Sequence, residues 1–169
     1  MNPVLLLTGT CGSGKTTIAL NLAKAGWFRI SEDDLWQERF GKQRGPFGSE
    51  EHRLKRQRVH EAVFAAINAA LRKGQRIVID ATIHESPPEA FHEYRSWFES
   101  QSVEWRLWVL HPRVEVAVAR DASRLGWHAG AERVAHLHAK FTGLAFSPES
   151  FLDSSDDSPE ETTRRILTG

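Results

Sequence analysis

The sequence predicts an α/β fold, a three-layer doubly wound parallel sheet with helices on both faces, and three observations lead there. Short apolar runs of strand length alternate along the chain with longer stretches of helical spacing. The strand-like runs, such as Ile77-Val78-Ile79, are continuously hydrophobic, as strands buried on both faces are. A glycine-rich loop stands between the first such run and the first helical stretch. At 169 residues the chain is expected to form one domain, 1–169.

Taken in order, residues 4–8 form the first strand, glycines follow at once, and residues 16–25 form a helix closed by Gly26. A second strand covers 27–31, and Glu32-Asp33-Asp34 sit where it gives way to loop or helix. Residues 41–48, GKQRGPFG, hold three glycines and one proline and read as a mobile connector. Ser49 is an N-cap candidate with Glu50 and Glu51 in the first turn of a long helix running to about Lys73. Residues 76–80 make a compact strand ending on the carboxylate of Asp80. Pro87-Pro88 open a helix through Phe98, and 103–110 form a further strand. Residues 112–124 fit both periods: Val114, Val116 and Val118 alternate, while Val114, Ala117, Val118 and Leu125 share a helical face. Helix is the expectation, because strands alternate with helices elsewhere. Residues 129–141 form the next helix, 151–153 a last short strand, and Ser158-Pro159-Glu160-Glu161 cap a closing helix to Leu167.

Composition bounds the function. Forty per cent hydrophobic and 26% charged residues, with mean hydropathy −0.43, describe a soluble globular chain. No apolar run approaches the ~20 residues that span a bilayer, so no membrane partner is expected. The start lacks the basic region of a secretory signal, and a single cysteine forms no internal disulfide, so a cytoplasmic location is expected. With 22 basic and 22 acidic residues there is no global field to attract nucleic acid, which leaves only local basic patches to consider.

Gly9-Thr10-Cys11-Gly12-Ser13-Gly14-Lys15-Thr16 satisfies G-x-x-x-x-G-K-[ST] at every defined position. Glycines let successive amides turn inward and approach phosphate oxygens, and the following helix adds its positive N-terminal end. Lys15 brings a mobile cation to the β- and γ-phosphates, and the Thr16 hydroxyl can join the coordination shell of Mg²⁺. Thr17 completes the nucleotide-binding segment. Cys11 reads either as a small residue tolerated in the loop or as a redox-active thiol at a helix end.

Other nucleotide machines demand parts that this sequence lacks. There is no N-K-x-D guanine reader and no LSGGQ-like signature, and Asp80 is followed by Ala81 rather than by the second acid of an AAA-type hydrolase. Asp80 therefore suits contact with Mg²⁺ through water, or with substrate, better than hydrolysis. Phosphoryl transfer to a small acceptor is the expectation, a chemistry of positioning and charge stabilisation. Asp33 is the candidate base, since strand carboxyl ends line the ligand crevice of doubly wound sheets. Asp34 beside it points elsewhere if the segment stays extended, and the alternative for both is an ordinary acidic helix start. Arg120 and Arg124, four apart, share a helix face from which two guanidiniums can close on phosphates, with Gly126 and Gly130 as hinges of a lid at about 120–131. The alternative is a solvated basic face, with Asp121 in a surface ion pair.

GTCGSGKT at 9–16, SEDDL at 31–35, IVIDAT at 77–82 and RDASR at 120–124 resemble the small P-loop kinases of the nucleoside-monophosphate-kinase-like group, over residues 3–167. Within that group the chain looks most like chloramphenicol phosphotransferases and the kinase domain of polynucleotide 5′-kinases. The resemblance implies a five-stranded sheet of order 2-3-1-4-5, ATP as co-substrate with Mg²⁺, Asp33 as catalytic base, and Arg120 and Arg124 as the lid arginines. Polynucleotide kinases place an arginine after D-D-x to hold the substrate's phosphate, whereas this sequence has Trp36 there. An indole stacks on rings or fills an apolar pocket, which favours a small alcohol acceptor over a nucleic acid end.

Between Arg39 and Arg58 seven basic residues face two acids, a pattern open to an anionic acceptor or to nucleic acid, with Arg53 and Arg56 as substrate candidates. The plainer account is the solvated side of a long helix. Trp97, Trp105 and Trp108 are expected in the core, while Trp36 and Trp127 neighbour the site loops. Eight histidines contain no H-E-x-x-H, so a metal held by protein ligands is not expected. The expected activity is Mg·ATP-dependent phosphorylation of a small-molecule hydroxyl. Its alternatives are a polynucleotide 5′-kinase or RNA-processing factor, and a non-catalytic ATP-gated switch.

Overall fold

Apolar continuity, caps and glycine stops act where the sequence places them, and the resulting order of elements decides where the site lies. The computed structural model describes residues 4–41, 46, 48–83, 89–126, 128–143 and 146–169. The expectations for Lys42 and Arg44, for the Pro87-Pro88 helix start and for Trp127 lie outside these residues.

Strand β1 (Val4–Gly9) leads into α1 (Lys15–Lys24), β2 (Phe28–Ser31), α2 (Glu32–Phe40) and the long α3 (Glu50–Leu71). There follow β3 (Ile77–Asp80), α4 (Glu89–Ser100), β4 (Trp105–Leu110), α5 (Val114–Ala122), α6 (Ala131–Thr142), β5 (Phe151–Leu152) and α7 (Pro159–Thr168). The five strands are parallel in the order β2-β3-β1-β4-β5, as the family resemblance implied.

Local chemistry explains the boundaries. The Ser49 hydroxyl accepts the His52 amide and starts α3, and Ser158 with Glu161 forms a full capping box on α7. Residues 114–122 are helical, so the spacing of Val114, Ala117 and Val118 prevails over the alternation of the valines. The second strand stops at Ser31, whose hydroxyl accepts the Asp34 amide and caps α2. Glu32, Asp33 and Asp34 thus fill the first turn of a helix, where their charges meet its positive end. The expected placement of Asp33 at the end of an extended strand is corrected here by one residue of helix-capping chemistry.

The sheet separates two apolar cores. One packs Leu6, Ile30, Ile79 and Val109 against α3, α4 and α6, and it contains Tyr94, Phe98 and Phe141 at 0% exposure. The other packs Leu5, Leu7, Val78 and Leu110 against α1 and α7. Trp97 stacks on Phe64, Trp105 stacks on Phe98 and Trp108 is buried, as expected of core tryptophans. Because every strand runs the same way, the P-loop after β1, the start of α2 after β2, and the chain after β3, β4 and β5 all emerge at one edge. Leu7, Asp80 and Ser31 stand in one row across β1, β3 and β2, which fixes the distances along that edge.

Candidate active site

The loop between β1 and α1 cannot be built from other residues. Gly12 has φ +75°, and a Cβ there would stand 2.0 Å from the Ala117 carbonyl oxygen of α5. Gly14, at φ +93°, is the left-handed N-cap of α1. That helix has no side-chain cap and no acid in its first turn, so its leading amides remain available to an anion. The Lys15 ammonium lies across the loop and donates to the Thr10 carbonyl at 3.4 Å.

A cavity of about 420 Å³ opens over this loop, lined by residues 12–18 on one side, by Arg120 and Arg124 of α5 on another, and by Ser154, Asp157, Pro159 and Thr162 on a third. The structure thus unites Gly12, Ser13, Gly14, Lys15, Thr16 and Thr17 with Arg120 and Arg124. Gly9 belongs to β1, Thr10 is buried and donates to the Val134 carbonyl at 3.4 Å, and the half-buried Cys11 is not among the lining residues. The hydroxyls of Ser13 and Ser154 are buried, belong to residues that line the cavity, and have no hydrogen-bond partner among the described residues.

The two arginines differ. Arg120 donates to the carbonyls of Ser154 at 2.9 Å and Ser155 at 3.4 Å, which binds α5 to the loop between β5 and α7. Arg124 is about half exposed, with its guanidinium 3.7 Å from an Asp121 oxygen. Asp121 is no surface partner: it is 1% exposed and its other oxygen accepts the amides of Ala129 at 2.8 Å and Gly130 at 3.0 Å. It ties the end of α5 to the start of α6, a structural role that sequence reasoning missed. The loop at 153–158 was missed as well. Arg113 grips Asp156 through two bonds of 2.7 and 2.9 Å, and Arg165 holds the Asp153 carbonyl at 2.8 Å. The available signal was its position after the last strand, where doubly wound sheets bind ligands.

The remaining candidates lie outside the cavity lining. Asp33, exposed, stands two residues past Ser31 on β2, while Gly9 stands two residues past Leu7 on β1. With β3 between them, two strand spacings or about 10 Å separate the rows. Asp80 is 6% exposed and bonded to Arg29 Nη2 at 3.0 Å, and Arg29 Nη1 reaches Asp34 at 2.7 Å. Burial alone would ease deprotonation of Arg29. Its bonds to Asp80 and Asp34 and their charges more than offset this and raise its pKa. Asp80 is therefore the anchor of an arginine, and Arg29 is a member of this edge that no motif announced. Trp36 is corrected: it is 6% exposed and packs against Phe40 and His52 in the core, because the helical turn begun at Ser31 rotates it inward. Arg53 is exposed, lies 3.8 Å from Glu50 and belongs to the solvated face of α3, whereas Lys55 is largely covered, bonding Glu51 at 2.6 Å with its ammonium over the Phe40 ring.

For Mg²⁺, the donor chemistry fits at one place. Thr16 supplies a hydroxyl oxygen in the cavity beside the leading amides of α1, whereas Asp80 is engaged by Arg29. No cluster of three or more metal-ligating side chains occurs among the described residues. Likewise, none of the described helices is long and apolar enough to cross a membrane.

A family model described as an AAA domain, AAA_33, matches residues 4–144. The chain belongs to the AAA_33 family. Its P-loop sequence and its sheet order 2-3-1-4-5 are those that the resemblance to small P-loop kinases implied. A search of curated proteins by sequence returns no match. Among solved structures, an unliganded sugar kinase from Janibacter sp. HTCC2649 is similar at 22% identity with a TM-score of 0.69, covering 99% of this chain and 94% of that one. The tunicamycin resistance protein of Deinococcus radiodurans is similar at 16% identity with a TM-score of 0.72, again covering 99% and 94%. A chain of the Pnkp1/Rnl/Hen1 RNA repair complex is similar at 22% identity with a TM-score of 0.62, covering 84% of this chain and 45% of that one. These likenesses are likenesses of fold.

Proposed function

We propose that this chain transfers the γ-phosphoryl group of Mg·ATP to a hydroxyl of a small molecule. The observation that carries the reading is the cavity in which the P-loop, Lys15 and Thr16 meet Arg120 and Arg124, with Asp33 on the same sheet edge two strands away. The α1 amides and Lys15 hold the triphosphate, and Arg124 neutralises charge as the phosphoryl group moves. Arg120, fixed by the carbonyls of Ser154 and Ser155, forms the wall against which the nucleoside rests. Mg²⁺ bound with the nucleotide would be held by Thr16 and would spread the charge of the phosphates. The acceptor hydroxyl forms a bond to the γ-phosphorus as the bond to the β-phosphate oxygen breaks, and Asp33 takes the hydroxyl proton.

Two facts favour a small acceptor over a nucleic acid end. Within the basic run, Arg53 and Lys55 are matched by acids one helical turn earlier, and Trp36 is packed in the core where a phosphate-holding arginine would be needed. The sugar kinase matches this chain over 94% of its own length, and its small-molecule acceptor class supports the same reading here. The test is a panel of sugars, sugar acids and hydroxylated antibiotics with γ-labelled ATP. Label should move to at least one acceptor, and Asp33→Asn should abolish that transfer while ATP binding persists. Transfer to 5′-hydroxyl oligonucleotides alone, or undiminished turnover in Asp33→Asn, contradicts the proposal.

A further inference from the structure

Asp33 stands between two carboxylates that are each tied down. On one side Asp34 is held by Arg29, which is itself anchored on Asp80. On the other, the Glu32 carboxylate accepts the Tyr94 hydroxyl at 2.6 Å and lies 3.2 Å from Nε2 of His60. The second ring nitrogen of His60, Nδ1, is bonded to Glu93 of α4. His60 is 4% exposed and Tyr94 is 0% exposed, so this cluster joins α2, α3 and α4 beneath the first turn of α2.

The geometry dictates the protonation state. Both ring nitrogens face carboxylate oxygens, and a neutral imidazole would turn a lone pair toward one of them. Only the imidazolium satisfies both. One buried cation between two carboxylates is a poor device for stability alone, since an apolar replacement of similar volume serves that purpose as well or better. Its distinctive effect is directional: it fixes the residue that precedes Asp33.

We infer that His60 is a positioning residue for phosphoryl transfer, an imidazolium that clamps Glu32 and so holds the first turn of α2 with Asp33 in working orientation. The inference rests on the reading of Asp33 as base. It gives the activity an alkaline limit. Burial lowers the pKa of His60, but hydrogen bonds to Glu32 and Glu93 and the charges of both raise it to about 9. The groups that face it are Glu32 from α2 and Glu93 and Tyr94 from α4, with Arg56 on its own helix acting on Glu93. Glu93 is held below its usual range by the His60 hydrogen bond, and burial followed by the Glu32 charge keeps Tyr94 protonated.

The test follows the ligand-free wild-type protein by NMR from pH 6 to 10.5, reading the His60 imidazole and the Asp33 backbone amide. The two should titrate with one midpoint well above the ordinary histidine range. An Asp33 amide that does not follow His60 overturns the inference, and this arm decides even if a His60 variant fails to fold. In parallel, hydrolysis of Mg·ATP with water as acceptor is compared in wild type, His60→Gln and Asp33→Asn. His60→Gln should lose at least tenfold in rate, keep its Mg·ATP dissociation constant within twofold, and lack the alkaline limb of the wild-type profile. Loss in Asp33→Asn without loss in His60→Gln overturns the inference alone. A full rate in Asp33→Asn overturns the reading of Asp33 and the inference with it.

Discussion

The Ala117 carbonyl oxygen and Gly12 are packed so closely that even a methyl group at Gly12 would sit 2.0 Å from that oxygen. The P-loop and α5 therefore move as one body, and the arginines of α5 are carried at a set distance from the phosphate nest. Gly12→Ala meets both a backbone clash and a left-handed φ, so the loop must shift. Mg·ATP affinity measured by calorimetry should fall by about two orders of magnitude, an expected loss of about 3 kcal/mol. Wild-type affinity in this variant contradicts the account of the loop.

Asp121 links the end of α5 to the start of α6. Removing its carboxylate leaves the half-buried amides of Ala129 and Gly130 without their acceptor. Asp121→Ala should lose on the order of 2–4 kcal/mol in denaturant unfolding, given the strength of hydrogen bonds to charged groups. Asp121→Asn, which keeps one acceptor oxygen, should lose less.

Arg120 and Arg124 should separate cleanly. Arg120→Ala removes a bond between α5 and the 153–158 loop, so it should lower both the melting temperature and the affinity for nucleotide. Arg124 is about half exposed, and its alanine variant should stay within ~0.5 kcal/mol of wild-type stability while phosphoryl transfer drops. Equal stability losses in the two variants would contradict this division of roles.

Stability should decline on both sides of neutrality, for two separate reasons. The folded pKa of His60 is raised, so its contribution is full below about 6.5, falls with rising pH and is gone above about 9. His111 behaves oppositely. Burial and the neighbouring His138, stacked at 3.9 Å, lower its pKa, so its contribution is present above about 6.5 and is lost as pH falls through the lowered value. Melting temperatures across pH 4–10 should show both limbs, with His111→Phe flattening only the acidic one.

The strands, the helices and the P-loop were legible because each is written locally: apolar runs for β1, β3 and β4, glycines for the loop, serine caps for α3 and α7. The expectation that failed at Trp36 failed for a local reason too. Spacing from the two aspartates suggested a pocket residue, but Ser31 starts a helix whose turn carries the indole into the core. Asp121, Arg29 and His60 were opaque because their meaning lies in partners far along the chain. Arg29 meets Asp80 across 51 residues, and His60 meets Glu93 across 33, with no pattern in either segment to announce the other. Asp121 is read as a surface acid until the chain folds back eight and nine residues later to give it two amides.

The proposed activity requires that the nest formed by the P-loop, with Lys15 across it, hold the triphosphate tail of a nucleotide. Calorimetric titration of wild type and Lys15→Ala with Mg·ATP tests it most directly. Wild type should release heat on saturable binding at one site, and Lys15→Ala should bind at least thirtyfold more weakly. No saturable heat from folded wild-type protein, or equal affinity in the two proteins, would contradict the claim.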